Sequence, residues 1–294
     1  MMSVSIITPS FNQGQFIERT LQSVISQRTS TALIEHFVID GGSKDETIEI
    51  LRKYGNVVRW ISEKDGGQAA AINKGICGST GEIIGWLNSD DIYYPGAVEK
   101  AVDYFTSHPE VDVIYGRADH IDCDDEAFEE YPTEPWGLER LKETCFICQP
   151  ALFFRRRVVD NYGYLDENLN YCMDYEYWLR LSTRACSFIF LNEKLAGSRL
   201  YAENKTLGAR VQVHKEINCM LKQKLGNVPD RWLLNYAHAV TEEKVNRTLA
   251  PRWFLIKLSI TAAFASLRWN YSMSRSLRGI LFGWLMNAKR GQKV

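Results

Sequence analysis

Three carboxylates and an amide stand where they could do chemistry. Asn88-Ser-Asp-Asp91 closes the apolar run 83–87 and sets two adjacent carboxylates, Asp90 and Asp91, beside an amide oxygen. Hard divalent cations such as Mn2+ and Mg2+ take oxygen ligands of this kind and share them with a diphosphate. The same residues could also cap the helix that Pro95 can open at its first turn, and composition alone does not separate the two readings. Asp174 sits in the first turn of an amphipathic pattern, Met173-Asp-Tyr-Glu-Tyr-Trp-Leu-Arg180, with Tyr177, Trp178 and Leu181 on its apolar side. A helix N-terminus stabilises an ionised carboxylate. Beside a deep pocket such a group is a general base; elsewhere it compensates the helix dipole.

Positioning these residues requires elements that end where they stand. Up to about residue 115, β-branched runs at 4–8, 34–40, 57–62, 83–87 and 111–115 alternate with helical patterns at 16–25, 68–74 and after Pro95. Ser43-Lys-Asp-Glu46 has the spacing of a capping box and predicts another helix start. This βαβα rhythm predicts a mostly parallel sheet with helices on both faces, whose ligands sit beyond the carboxyl ends of the strands. Those ends carry Thr8-Pro-Ser-Phe-Asn12, Asp40-Gly-Gly-Ser-Lys-Asp45, Lys64-Asp-Gly-Gly-Gln68 and the Asn88 segment. No Gly-x-Gly-x-x-Gly follows the first strand and no P-loop occurs, so the usual dinucleotide and triphosphate cradles are missing. Between 128 and 215 the alternation stops; 149–154 reads as a strand and 158–162 as a short helix.

Five segments in order now carry a resemblance. Ser5-Ile-Ile-Thr-Pro-Ser-Phe-Asn12, Val38-Ile-Asp-Gly-Gly-Ser-Lys-Asp-Glu-Thr47, Ser62-Glu-Lys-Asp-Gly-Gly-Gln68 with Ala71-Ile-Asn-Lys-Gly75, Gly81-Glu-Ile-Ile-Gly-Trp-Leu-Asn-Ser-Asp-Asp91 with Pro95-Gly96, and the Met173 segment together resemble glycosyltransferase family 2 over about residues 3–205. The resemblance implies an α/β GT-A fold: a Rossmann-like, mostly parallel central sheet with flanking helices, here with a C-terminal helical appendage. It implies a glycosyltransferase domain over 1–215, with a nucleotide-sugar half at 1–115 and an acceptor half at 116–215; beyond the resemblance the sequence itself reads as a basic helical extension over 216–294. It places Pro9, Phe11, Asp40, Lys64, Asp65 and Asn88 at the nucleotide, Asp90 and Asp91 at a divalent metal, Mn2+ or Mg2+, and Asp174 as the base that deprotonates the acceptor hydroxyl. The implied reaction is inverting transfer of one or few sugars from a uridine-based nucleotide-sugar to a glycan or lipid-linked acceptor. Processive members carry Gln-x-x-Arg-Trp and membrane spans, and this chain has neither. Two positions depart from the family pattern. Asn88 replaces the first aspartate of the acidic motif, and Tyr201 stands where a His is expected, with His214 downstream as a substitute to test. These departures motivate a second reading, a nucleotide-sugar-binding scaffold without turnover. A sugar nucleotidyltransferase would need an early Gly/Arg-rich triphosphate loop, which is missing.

Charge separates the chain into two parts. The overall net charge is -1, yet residues up to Glu243 carry −11 while those beyond carry ten Lys/Arg and no acid. The acidic body argues against nucleic acid as a partner, and the basic segment 250–294 fits an anionic membrane surface or a solvated helical face. Residues 254–267 are apolar apart from Lys257 and small hydroxyls, but fall short of the roughly twenty residues needed to span a bilayer. Leu277, Ile280, Leu281, Trp284, Leu285 and Ala288 recur at helical spacing between flanking bases, as an in-plane interfacial helix would; a packed helical cap is the alternative. The first nine residues lack a basic n-region and read as a buried strand, which predicts a cytoplasmic protein, peripheral on the inner membrane face. Seven scattered Cys fit reduced thiols, and the lone Cys145-x-x-Cys148 has no second pair to complete a zinc site. In the acceptor half His120, Tyr131, Trp136 and Gln149 are candidate contacts.

Overall fold

A computed structural model of the chain describes residues 2–27, 32–202 and 204–290; Lys293, one of the ten tail bases, lies outside them. The first elements are β1 (Met2–Ser10), α1 (Ile17–Ile25), β2 (Ala32–Asp40), α2 (Thr47–Lys53), β3 (Arg59–Ser62), α3 (Gln68–Cys77), β4 (Ile83–Trp86), β5 (Ile92–Tyr93) and α4 (Ala97–Ser107). Then follow β6 (Val113–Ile121), β7 (Ala127–Glu130), α5 (Leu138–Glu143), a 3-10 turn (Gln149–Ala151), β8 (Leu152–Arg155), α6 (Arg156–Tyr162), α7 (Met173–Ser182) and β9 (Phe188–Arg199). The chain continues with α8 (Lys205–Gly208), α9 (Arg210–Leu225), α10 (Asp230–Glu242), α11 (Pro251–Asn270) and α12 (Arg275–Arg290). Two compact units result: Met1–Leu141 with Cys145–Tyr201, the sheet unit, and Lys142–Thr144 with Ala202–Val294, the helical unit. The sheet unit ends at Tyr201, upstream of the expected boundary at 215.

Strand order in the sheet is β3-β2-β1-β4-β8-β6-β9-β5, with β7 paired to β6. The first four are parallel, with Val4 opposite Ile34 and Ile83, so they end on one side and deliver their loops together. Alternation along β1 sends neighbouring side chains to opposite faces. Ile6 and Val4 join Val98, Ala101 and Phe105 of α4 in one core, while Ile7 faces α3. There Gly75 is required by close approach: a Cβ would lie 2.3 Å from Ile7 Cγ2. A second cluster, Ile17, Leu21, Val38, Leu51 and Val58, joins α1, α2 and β2.

Beyond β4 the sheet is mixed. β8 runs antiparallel to both β4 and β6, and β6 is parallel to β9. Three local expectations fail for identifiable reasons. Ser43 caps no helix, because its hydroxyl bonds Asp40; α2 starts at Thr47, whose N–H is held by Asp45 Oδ1 at 3.1 Å. Pro95 precedes α4 instead of opening it, since Gly96 turns with φ 77 first. The segment 149–154 begins as a 3-10 turn because the Gln149 side chain is drawn to the Trp86 carbonyl and Asn88.

In the helical unit Tyr236 meets Trp269 edge-on at 5.0 Å, His238 meets Trp284 at 5.8 Å, and Asn270 bonds both backbone groups of Val228 at 2.8 Å. Part of the apolar seam of α12 turns inward: Leu277, Leu281 and Ala288 are buried, Ile280 and Trp284 are half-buried and Leu285 is exposed. No helix among the described residues is long and apolar enough to cross a membrane.

Candidate active site

The loops after β1, β2 and β3 are laced to one another. Asn12 N–H donates to Ser43 Oγ (2.7 Å), Lys44 N–H to Asn12 Oδ1 (3.0 Å) and Gly14 N–H to Asp45 Oδ2 (2.8 Å). Asp45 is held below its usual pKa: burial raises it, but hydrogen bonds from Thr47 and Gly14 outweigh that. Asp40 is fully buried at the end of β2, where its Oδ2 accepts from Gly42 N (3.0 Å), Ser43 N (2.8 Å) and Ser62 Oγ (2.6 Å). Asp65 Oδ1 accepts from Gly67 N (2.8 Å), and its other oxygen lies so near Gly41 that a Cβ there would be 3.1 Å away. Pro9 is buried opposite Ile39, whereas Phe11 and Lys64 are exposed. The expected nucleotide residues therefore differ in what they can offer. Asp40 is buried and braces the loops; Phe11 presents an exposed ring and Lys64 an exposed cation.

The acidic motif divides in the same way. Asn88 fills all four of its hydrogen-bond positions: Oδ1 accepts from Gln68 Nε2 (2.8 Å) and Trp86 Nε1 (2.8 Å), and Nδ2 donates to Asp91 Oδ2 (3.2 Å) and Gln149 Oε1 (2.8 Å). None of its hydrogen-bonding groups is left without a protein partner. Asp91, 4% exposed, is enclosed by the fold: Oδ1 accepts from Arg199 N (2.8 Å) and Oδ2 from Asn88. Burial, and next the adjacent Asp90, push its pKa well up. Asp90 alone stays partly open. It is half-buried, and Tyr201 donates its hydroxyl to Oδ2 at 3.1 Å while accepting from Gln13 Nε2 at 3.2 Å. Burial raises the pKa of Asp90. Arg199, almost fully buried, bonds the Asp90 carbonyl at 2.7 Å, pairs with Asp125 and lies 4.5 Å over the Phe16 ring.

Asp174 is half-buried at the start of α7, its Oδ1 accepting from Tyr175 N at 2.7 Å. Buried Tyr177, Trp178 and Leu181 fix the helix, and a buried Glu176–Arg180 pair at 2.9 Å ties it to the carbonyls of Tyr162 and Tyr164. Cys145 and Cys148 are free thiols. The Cys145 thiol is pushed up by burial and then by the Asp174 carboxylate; that of Cys148 by burial, then Asp91, then Cys145, and also Asp174. Of the acceptor candidates, His120 and Tyr131 pack ring to ring at 5.2 Å, Trp136 stacks on Phe188 at 4.3 Å, and Gln149 is committed to Asn88. His214 belongs to the helical unit, where burial lowers its pKa to about 4. Sequence reasoning missed Gln13, Gln68, Trp86 and Arg199 as braces of the motif; the only available signal was that adjacent buried carboxylates need donors.

Among the described residues no three His, Cys, Asp or Glu side chains converge as a metal cage. A hard divalent cation that takes its remaining ligands from substrate phosphates and water needs only one or two carboxylates. Asp90 fits that role, being desolvated and held by one side-chain hydrogen bond among the described residues, from Tyr201.

Residues 5–163 match the family model for glycosyl transferase family 2. An uncharacterised glycosyltransferase of Rickettsia prowazekii is 30% identical over 225 residues, covering 72% of this chain and 68% of the relative. Among solved structures, S. aureus TarS 1-349 in complex with UDP-GlcNAc superposes with a TM-score of 0.62 at 17% identity, covering 99% of this chain and 93% of that one. The mannosyltransferase PcManGT from Pyrobaculum calidifontis, in complex with GDP-Man and Mn2+, gives 0.59 at 15% identity, covering 97% and 85%. At these identities the structural likeness is one of fold.

Proposed function

The chain belongs to glycosyltransferase family 2 and has the GT-A fold, and on that premise we propose that it transfers a sugar from a uridine-based nucleotide-sugar to a glycan or lipid-linked acceptor, with inversion. The observation that carries this reading is the division of the strand-end groups: Asn88 is saturated and Asp91 and Asp40 are buried and hydrogen-bonded within the fold, while Phe11 and Lys64 are exposed and Asp90 is only half-buried. An exposed ring at the end of β1 suits stacking against a base, and the Lys64 ammonium suits a phosphate. The uridine preference leans on the UDP-GlcNAc complex of TarS.

A divalent cation, Mn2+ or Mg2+, would be held by Asp90 together with donor phosphates and would offset charge on the leaving diphosphate. Tyr201 orients Asp90 from one side and is itself oriented by Gln13. Asp174 acts as the base that takes the proton from the acceptor hydroxyl. Direct displacement needs only that base and an aligned donor, and no protein nucleophile, so configuration inverts. Residues 1–115 serve the donor and 116–201 the acceptor, and the basic segment 250–294 keeps the protein peripheral on the cytoplasmic face of a membrane. Donor binding without turnover is the second reading; it draws on the loss of a carboxylate at Asn88.

Asp174→Asn is expected to retain nucleotide-sugar binding, read as a thermal shift, and to lose transfer by about a thousandfold or more. Substantial remaining turnover would remove Asp174 from the base role. Tight donor binding by the wild type with no transfer or hydrolysis would favour the second reading.

A further inference from the structure

Helix α11 has two apolar faces, and only one is covered. Phe254, Leu255, Leu258, Ala262, Ala265 and Trp269 are buried within the helical unit. On the opposite side Trp253, Ile260, Phe264 and Leu267, continued by Tyr271 at the C-cap, are 51–79% exposed. At 3.6 residues per turn the first four fall within about 60° of one another, a single stripe along the helix. A helix that only packs on a core carries polar residues there, and contiguous exposed apolar surface marks a contact site.

We propose that this stripe is the face by which the protein lies in the surface of an anionic bilayer. Charge identifies the occupant. Residues 202–294 hold sixteen Lys/Arg against five Asp/Glu, and beyond Glu243 there is no acid at all. Arg252, Lys257 and Arg268 lie on α11 itself, the first and last exposed. A second copy of the chain docked through the stripe would set these cations against their own equivalents, as two-fold contacts do. Anionic headgroups neutralise them instead. Trp253 and Tyr271 stand at the two ends of the stripe with Ile260, Phe264 and Leu267 between, and Lys222 lies 4.8 Å over the Tyr271 ring. Trp and Tyr rings favour the headgroup region, and the apolar Ile260, Phe264 and Leu267 on the same face suit the adjoining acyl boundary. Because the other face of α11 is buried and the helix carries three bases, it lies in the plane of the surface and does not cross it.

Flotation of the full chain with phosphatidylcholine vesicles containing about one-third phosphatidylglycerol tests this. The wild type is expected to float with these vesicles, to stay behind with pure phosphatidylcholine, and to be released by high salt. The double substitution Ile260→Ser with Phe264→Ser should weaken binding about tenfold or more, while Phe282→Ser on the exposed side of α12 leaves it unchanged. All three side chains are exposed, so the variants should keep the wild-type circular dichroism. Binding that survives the double substitution would overturn the proposal, as would a wild type that floats equally with neutral vesicles or not at all. So would a wild-type dimer that the double substitution converts to monomer without vesicle binding. The assay reads membrane contact without turnover, so its failure leaves the transferase reading standing, and the converse holds.

Discussion

The strand-end loops of the sheet unit and the outer face of α11 break opposite rules. In the loops the conspicuous polar groups are mostly used up: Asp40 holds the β2 turn, and Asn88 and Asp91 hold each other, Gln149 and Arg199. In α11 apolar groups that ordinarily seek a core stand in the open. In both regions the groups to which we assign a task outside the fold are those the fold leaves exposed or only partly enclosed: Phe11, Lys64 and Asp90 in one, Trp253, Ile260 and Phe264 in the other. Residue type announces the chemistry a side chain could perform, and its hydrogen-bond partners decide whether it is available.

The sharpest way to break the contrast within the sheet unit is Asn88→Ala. It would leave Gln68, Trp86, Gln149 and Asp91 each short of a partner in a desolvated place, so a loss on the order of 3 kcal/mol in urea unfolding is expected. Unchanged stability with donor affinity abolished would show that Asn88 serves the ligand and not the fold. A smaller effect separates the two units by acid. His214, 6.5 when unfolded and about 4 when buried, binds a proton more readily in the unfolded chain. Its contribution is therefore full above pH 6.5 and is lost as pH falls towards 4; because the ring is only partly buried and solvent screens it, the loss is below the roughly 3 kcal/mol that the whole shift would carry. Burial raises Asp90 and Asp91 instead, so mild acid relieves their cost in the sheet unit. Hydrogen exchange should show α9 and α10 loosening between pH 7 and 5, with His214→Gln flattening the dependence; equal loosening of β1 and β4 would erase the distinction.

Much of the first half was legible because its strands are buried on both faces and read as short β-branched runs. The mixed half was not: β8 has four residues, and its place between β4 and β6 depends on partners some 70 and 40 positions away. At the site, the types and positions of Asp90, Asn88 and Asp174 could be read, but the saturation of Asn88 could not, since Gln149 arrives from 61 residues downstream. Asp91 is likewise bracketed by Arg199 across 108 residues. Helical period was visible in 277–288, yet period alone does not say whether an apolar face meets lipid or protein; in α12 Leu277 and Leu281 are spent on the fold. The stripe on α11 was hidden because the helix is apolar on two sides, which blurs the single-face pattern that periodicity detects.

The division of the acidic motif is tested most directly by calorimetric titration of UDP with and without Mn2+ on the wild type and Asp90→Asn. With Asp90 as the open carboxylate, Mn2+ should strengthen UDP binding about tenfold or more in the wild type and have no effect in Asp90→Asn. Mn2+-dependent affinity that persists undiminished in Asp90→Asn would contradict it.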